Sequence, residues 1–529
     1  MAYRWIASMK YSSLKKCIFV VYFALNACMV GPNYKEPHTS VAPHWAKKDN
    51  SIKETPFRQV AWWEVFHDDN LTALIYQGYC NNLSLQTAGV HVLQARAQLA
   101  QAVGQLYPQQ QGMTGSLNYY RMGGGYLENV LPSSFYASML GFSANWEIDF
   151  WGKYRRAIQA KDATFLASLA AYDDALVTLT ADIASYYIRI RTTEALIKVT
   201  KDNIHVQQTS LQLTQSRYRS GEVSMLDVEQ AKTELSETEA QLPQLVSLLQ
   251  IQKDALAVLL GLLPNDIDKL LLKKYGIPEA PKQVEIGIPK ESLARRPDIH
   301  QARLVAINEM ATIGQIKANL YPSLALAGSF NFAANTINGS SLGDLFNWSN
   351  MNILAGPALN WPLLNYGQIT NAVRAQDAVF QQALLKYMNL VLVAQQEVQD
   401  NITRYIEAKK TENALANASH SAVKSTRLTL IQYREGENDY TPVLYAEQQQ
   451  LRVQTSLVKA QAEIPLALVD LYRALGGGWQ IRKGRDIVPY RIKQDMAMRT
   501  SWGDLLKEEN HTRPKNQKQQ LEQLYLPNW

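Results

Sequence analysis

The chain has 529 residues, 47% of them hydrophobic and 19% charged, with a formal net charge of +6. That is too apolar for a disordered chain and long enough for two or three ordinary domains. Outside one stretch near the N-terminus no apolar run reaches the ~18–20 residues of a spanning helix, which excludes a polytopic helical membrane protein and leaves a membrane β-barrel open. Cys17, Cys28 and Cys80 show none of the paired spacings of zinc sites, redox motifs or disulfide frameworks.

Residues 1–27 read as an export signal. Lys15 and Lys16 precede a short apolar core from Cys17 to Leu25, and Met9 opens a tidier signal than Met1. The sequence Leu25-Asn26-Ala27-Cys28 resembles a bacterial lipobox with an unusual Asn26, so Cys28 is expected to carry an N-acyl diacylglycerol lipid. The other reading is an ordinary signal with a stray cysteine, under which the chain is still exported. Cleavage removes Arg4, Lys10, Lys15 and Lys16 and no acids, which takes +6 to +2 and leaves no charge argument for a nucleic-acid partner. One acyl chain holds a protein to a membrane only reversibly, so a second membrane attachment is expected.

Residues 28–79 read as an extended segment and a first short helix, followed by one structural unit present twice. Leu106-Tyr107-Pro108 recurs as Leu320-Tyr321-Pro322 at an offset of 214. Tyr218-Arg219-Ser220-Gly221-Glu222 recurs as Tyr433-Arg434-Glu435-Gly436-Glu437 at 215, as do Gly152 with Gly367 and Leu260-Gly261 with Leu475-Gly476. A nearly constant offset through four matches indicates duplication. The first repeat covers 80–264: a helix ended by Tyr107-Pro108, a β-hairpin over 112–150, and long helices over 153–217 and 224–260. A linker spans 265–296. The second repeat covers 297–477, with a hairpin at 323–361 and helices at 367–433 and 441–475, and a tail over 478–529 is either equatorial or disordered.

The strand pattern is clearest at Leu140, Phe142, Ala144, Trp146, Ile148 and Phe150, which alternate with Gly141, Ser143, Asn145, Glu147 and Asp149. Strands of this length, apolar on one face, suit a barrel with lipid outside and water inside, and Trp146, Trp151, Trp348 and Trp361 fall where interfacial girdles sit. A soluble sheet with one buried face fits the strands taken alone; the helices decide against it. Residues 153–217 contain neither proline nor glycine, enough for one helix of roughly 100 Å at ~1.5 Å per residue. Val228, Leu235, Leu242, Leu249 and Leu256 recur by sevens, as do Val443, Gln450, Leu457, Ile464 and Leu471, which are coiled-coil seams with bends expected at Pro243 and Pro465. Four strands cannot close a membrane barrel, and open edges are not tolerated in lipid. Three copies give 12 strands.

With these parts the chain resembles the outer-membrane factors, the TolC and OprM type of exit duct. The tokens are Cys28-Met-Val-Gly-Pro-Asn-Tyr-Lys-Glu-Pro37, which is similar to the lipoprotein branch, Trp62-Trp63-Glu-Val-Phe-His-Asp68, and Leu293-Ala-Arg-Arg-Pro-Asp-Ile299. The resemblance implies an α+β membrane protein: a homotrimeric 12-stranded outer-membrane β-barrel, four strands per chain, continued by a long periplasmic α-helical coiled-coil barrel. It further implies a Gram-negative outer membrane location, lipid anchoring, and docking with a periplasmic adaptor and an inner-membrane pump of a tripartite efflux system. A type I secretion duct for a polypeptide, and a non-conducting periplasmic lipoprotein scaffold, are the alternatives.

Gly221 and Gly436 fit the turns between the long helices, and the resemblance implies that with Tyr218, Arg219 and Arg434 they form the hairpin tips and an adaptor contact. By the resemblance, Tyr433 hydrogen-bonds Asp227 and helps to hold the pore shut. Ser224 with Asp227 could equally cap the returning helix, with Tyr433 as packing, and the roles can coexist. Asn438 stands where TolC has an arginine, and Pro442 and Tyr445 stand where the family carries constriction acids; Glu437 and Asp439 lie nearby. The sequence carries no metalloprotease, nucleophile-elbow or phosphate-loop motif, so neither catalysis nor a metal or cofactor beyond the lipid is expected.

Overall fold

The computed structural model describes residues 29–46, 49–54, 61–123, 132–271, 276–337 and 341–508. The signal, Cys28, Gly124-Gly125 and the chain beyond residue 508 lie outside the described residues. Two helices open the fold, α1 (Asp69–Asn81) and α2 (Leu83–Gly104). The boundary expected at residue 79 falls inside α1, because the chain turns at Asn82 instead. There one asparagine serves both helices: its N–H closes α1 on the Gly78 carbonyl at 2.9 Å, and its Oδ1 accepts from Leu85 N at 2.8 Å to cap α2.

Strands β1 (Gln110–Arg121) and β2 (Ser134–Ile148) follow, then α3 (Lys153–Arg219) and α4 (Met225–Leu259). The second half repeats this order with α5 (Pro297–Lys317), β3 (Ser323–Asn335), β4 (Met351–Asn360), α6 (Gln368–Arg434) and α7 (Tyr440–Ala474). Helices α3 and α6 are each 67 residues long, and α4 and α7 each 35. The duplication extends to backbone angles: φ is 79° and 81° at Gly152 and Gly367, 78° and 81° at Gly221 and Gly436, and 67° at both Gly261 and Gly476. Pro243 and Pro465 lie inside α4 and α7 without ending either helix.

The four long strands form one antiparallel sheet in the order β1-β2-β3-β4. Its register sorts the side chains by chemistry. Met113, Phe142, Phe330 and Ile353 stand in one row across all four strands, and the neighbouring row, on the opposite face, is Thr114, Gly141, Asn331 and Asn352. Aromatic residues gather at both ends. The indole N–H groups of Trp146, Trp151 and Trp361 donate to the carbonyls of Leu106, Pro322 and Leu320 at the helical end, while Phe346 and Trp348 pack on Phe332 at the other.

The main hydrophobic core lies midway along the helices, where Trp62, Trp63, Ile183, Tyr187, Tyr405 and Tyr472 are buried. Trp62 stacks on Tyr472 at 5.3 Å, and Asp68 both caps α1 and accepts from the Tyr187 hydroxyl at 2.7 Å, so the Trp62–Asp68 motif is a structural anchor. The 265–296 stretch is more than a linker: Val284–Ile286 pairs in parallel with Ile52–Glu54, and Pro289–Leu293 is a short helix. Three-residue strands are too short for periodicity to reveal. Of the tail, Tyr490–Arg499 is helical, and Ile487 and Val488 pack against Gly89 on α2. Residues 29–46 form a strap along the helices. It starts where Val30 N donates to the Trp151 carbonyl at 3.0 Å and reaches the core where Trp45 Nε1 donates to Gly287 O at 2.8 Å.

Candidate functional site

The tips of the two helical hairpins have the same closure. Gly221 N and Glu222 N donate to the carbonyls of Tyr218 (3.0 Å) and Arg217 (2.9 Å), and Gly436 N and Glu437 N to those of Tyr433 (3.1 Å) and Gln432 (2.9 Å). Each is a helix stop that needs a left-handed residue, and glycine takes that conformation without a Cβ penalty.

The side chains above the turns break the symmetry. Tyr218 is 44% exposed, whereas its repeat partner Tyr433 is fully buried in a small core with Ala231, Tyr440 and Val443. Tyr433 meets Tyr440 edge-on at 5.5 Å. The Tyr433 hydroxyl has no hydrogen-bond partner among the described residues, so the bond to Asp227 implied by the resemblance is not formed within the chain. Asp227 lies in the first turn of α4, where its carboxylate faces Ser224 Oγ at 3.5 Å, and it reaches Tyr433 only as a charge. The capping expectation is corrected too: Ser224 occupies the N-cap position, but its side chain accepts no backbone N–H.

Arg217 makes the link instead. Its guanidinium lies over the Tyr433 ring at 4.7 Å, its Nη1 donates to the Tyr433 carbonyl, and its Nε donates to Glu222 Oε2 at 3.0 Å. Sequence reasoning missed this residue. The available signal was the repeat itself, because Arg217 corresponds to Gln432, which binds Asn438 Nδ2 at 2.9 Å within its own hairpin. Asp439 occupies the N-cap of α7 without a side-chain cap bond, and Tyr445 is 64% exposed with its hydroxyl accepting from Gln449. Arg219 and Arg434 are exposed beside the two glycines, Arg434 engaging Glu435 at 3.1 Å, and the second tip also exposes Glu437 and Asp439, so the tips present mixed charge to solvent.

Above this core the hairpins meet through polar groups. Glu234 of α4 is 7% exposed and accepts from Gln207 of α3 (3.4 Å) and Gln448 of α7 (2.8 Å). Asn203 of α3 donates to Gln454 at 2.7 Å and accepts from Gln450 at 3.2 Å. Glu447 is 2% exposed, and neither carboxylate oxygen has a hydrogen-bond partner among the described residues. Burial pushes its carboxyl up to about 7, with the Ser210 hydroxyl opposing and the charge of Glu234 adding.

The chain thus joins a four-stranded sheet with an apolar and a polar face to paired helices of 67 and 35 residues in a duplicated unit. The outer membrane efflux protein family matches residues 74–262 and 288–477, and the chain belongs to this family. It is 27% identical over 455 residues to nodulation protein T of Rhizobium leguminosarum bv. trifolii, covering 86% of this chain and 95% of that protein. It is 29% identical over 482 residues to the probable efflux pump outer membrane protein TtgC of Pseudomonas putida, covering 88% and 96%. The solved outer-membrane channel OprN superposes with a TM-score of 0.78 at 28% identity, covering 86% of this chain and all of that one. The protein is an outer-membrane efflux component of a Gram-negative cell whose helices extend into the periplasm.

Proposed function

We propose that three copies of the chain close one 12-stranded barrel and one helical tube. This duct passively conducts small molecules handed over by a periplasmic adaptor and an inner-membrane pump. The sheet carries the proposal. Among the described residues β1 and β4 have no outer partner strand, and such edges are untenable in lipid.

The repeat indicates how the edges meet. Within the chain, Trp151 after β2 stacks on Tyr321 before β3 at 4.7 Å and donates to Pro322 O at 2.8 Å. The repeat offsets give Tyr366 and Tyr107 as the counterparts of Trp151 and Tyr321. These lie at opposite edges of the sheet, after β4 and before β1, and Tyr366 is 93% exposed. A ring of three chains brings each Tyr366 to a neighbour's Tyr107.

Lipid attachment at Cys28 is part of this proposal. The next residue, Met29, sits directly against Gly152 beside Trp151, and this position at the helical end of the sheet supports an acyl group held at the membrane surface. In the same reading, Gly221, Gly436, Tyr218, Arg219 and Arg434 form the adaptor surface. The test is the native mass of the mature protein in detergent, followed by conductance in planar bilayers. A trimer carrying an acyl group, with a measurable conductance, is expected. A folded monomer would return the reading to a non-conducting scaffold, and conduction restricted to an unfolded polypeptide would favour a secretion duct.

A further inference from the structure

The buried carboxylates above the tip have no part in the closures described for Tyr433. Glu447 sits seven residues into α7 from Tyr440, about 10 Å along the helix axis. Every helix of the two hairpins faces it or its neighbours. Helix α3 presents the Ser210 hydroxyl and the Gln207 amide, α4 presents Glu234 with Glu237 acting on it, α6 presents Tyr433, and α7 itself presents Tyr440. Arg217 of α3 is engaged with Tyr433 and Glu222. No ion pair involves Glu234 or Glu447 among the described residues.

A carboxylate in this position would be buried without a cation and beside the acidic Glu234, with the Ser210 hydroxyl as the donor facing it. A buried ionised group in that situation takes up a proton or draws water to itself. We propose that Glu447 is a proton site that latches the α6–α7 hairpin to the α3–α4 hairpin: with the proton on, the tip stays packed, and ionisation parts the hairpins and admits water. The proposal rests on the duct reading only where conductance is the readout.

The sign follows from the direction of the shift. The carboxyl in the closed tip lies above its ordinary range, so the proton stabilises closed packing at low pH, and that stabilisation is lost as pH rises through about 7. The ionised fraction therefore rises between pH 6 and pH 8.

The experiment is conductance of the full-length mature protein in planar bilayers at pH 6 and pH 8, at constant salt. Infrared difference spectra of the same samples follow the protonated-carboxyl band. Wild type is expected to conduct several-fold more at pH 8 and to lose the band. Glu447→Gln should stay at the wild-type pH 6 level at both values and lack the band. Glu234→Gln removes the neighbouring charge and should move the midpoint to lower pH, which a merely structural role would not do. A Glu447→Gln variant that keeps the wild-type rise, or a wild type with no pH-dependent rise, overturns the latch. A carboxyl band that persists in Glu447→Gln overturns the proton site, even if the preparation conducts nothing and the duct reading fails with it.

Discussion

Tyr433 and Arg217 illustrate what one position in a repeat can and cannot disclose. The offset pairs Tyr433 with Tyr218, and both occupy the same point of a helix stop, yet only Tyr433 is enclosed. Its ring, not its hydroxyl, is what Arg217 and Tyr440 hold. Tyr433→Phe should therefore leave single-channel conductance unchanged and stabilise the tip slightly, since an unsatisfied buried hydroxyl costs about 1–3 kcal/mol. Tyr433→Ala should leak and lose about 3–5 kcal/mol of stability. Arg217→Ala should also leak, through loss of a cation–π contact worth about 1–2 kcal/mol and of the donor to the Tyr433 carbonyl. Conductance that responds to Tyr433→Phe as strongly as to Arg217→Ala would restore the hydrogen-bonded gate. The sequence marked Tyr433 and Asp227 through resemblance. It could not show that Asp227 stays at its own helix end, because that depends on the rotation of α4 against α6.

At the scale of elements, the long helices were legible because nothing in 153–217 interrupts them, and the turns because a glycine follows each repeated Tyr-Arg pair. The heptads were legible as a pattern but not as a set of contacts. Val228 and Leu256 are buried, while Val246, Leu248 and Ile251 in the middle of α4 are 51%, 43% and 62% exposed. That surface has no cover within one chain. The seam also contains Glu234 and Thr238, both buried, which a search for apolar sevens passes over. The Cβ of Gly436→Ala would make an ordinary van der Waals contact with Arg217 Nη2 at 3.6 Å, so only the left-handed backbone resists it. The expected loss is about 1–2 kcal/mol in thermal unfolding, with conductance unchanged.

The Arg296 guanidinium has a larger task. It holds Asp298 at 2.7 Å at the start of α5, Glu397 of α6 at 2.8 Å and the Ala474 carbonyl that ends α7 at 2.8 Å. Pro297 and Asp298 were readable as a helix start, but the clamp across three helices was not, since Glu397 and Ala474 are more than 100 residues from Arg296. Arg296→Ala leaves the buried Ala474 carbonyl without its donor and frees two partly exposed carboxylates, and should cost about 1–3 kcal/mol, read as a lower unfolding temperature in detergent. An unshifted transition would show that the clamp is dispensable.

For the whole molecule, the duplication is the organising fact. The Trp151–Tyr321 contact that joins the two half-units has its repeat counterparts, Tyr366 and Tyr107, at the two outer edges of the sheet. Strand number, edge exposure and repeat offset are what the proposed ring of three chains rests on, and the strap from Met29 to Trp45 ties the sheet end of the chain to its helical core. The most direct test is oxidative cross-linking of Tyr107→Cys with Tyr366→Cys in a Cys80→Ser background, with the products separated under denaturing conditions. A closed ring of three chains gives a ladder that stops at three chains in the double variant and no product in either single variant. A double variant that remains monomeric while its native mass is trimeric would refute the seam, and a ladder extending beyond three chains would refute the closed ring.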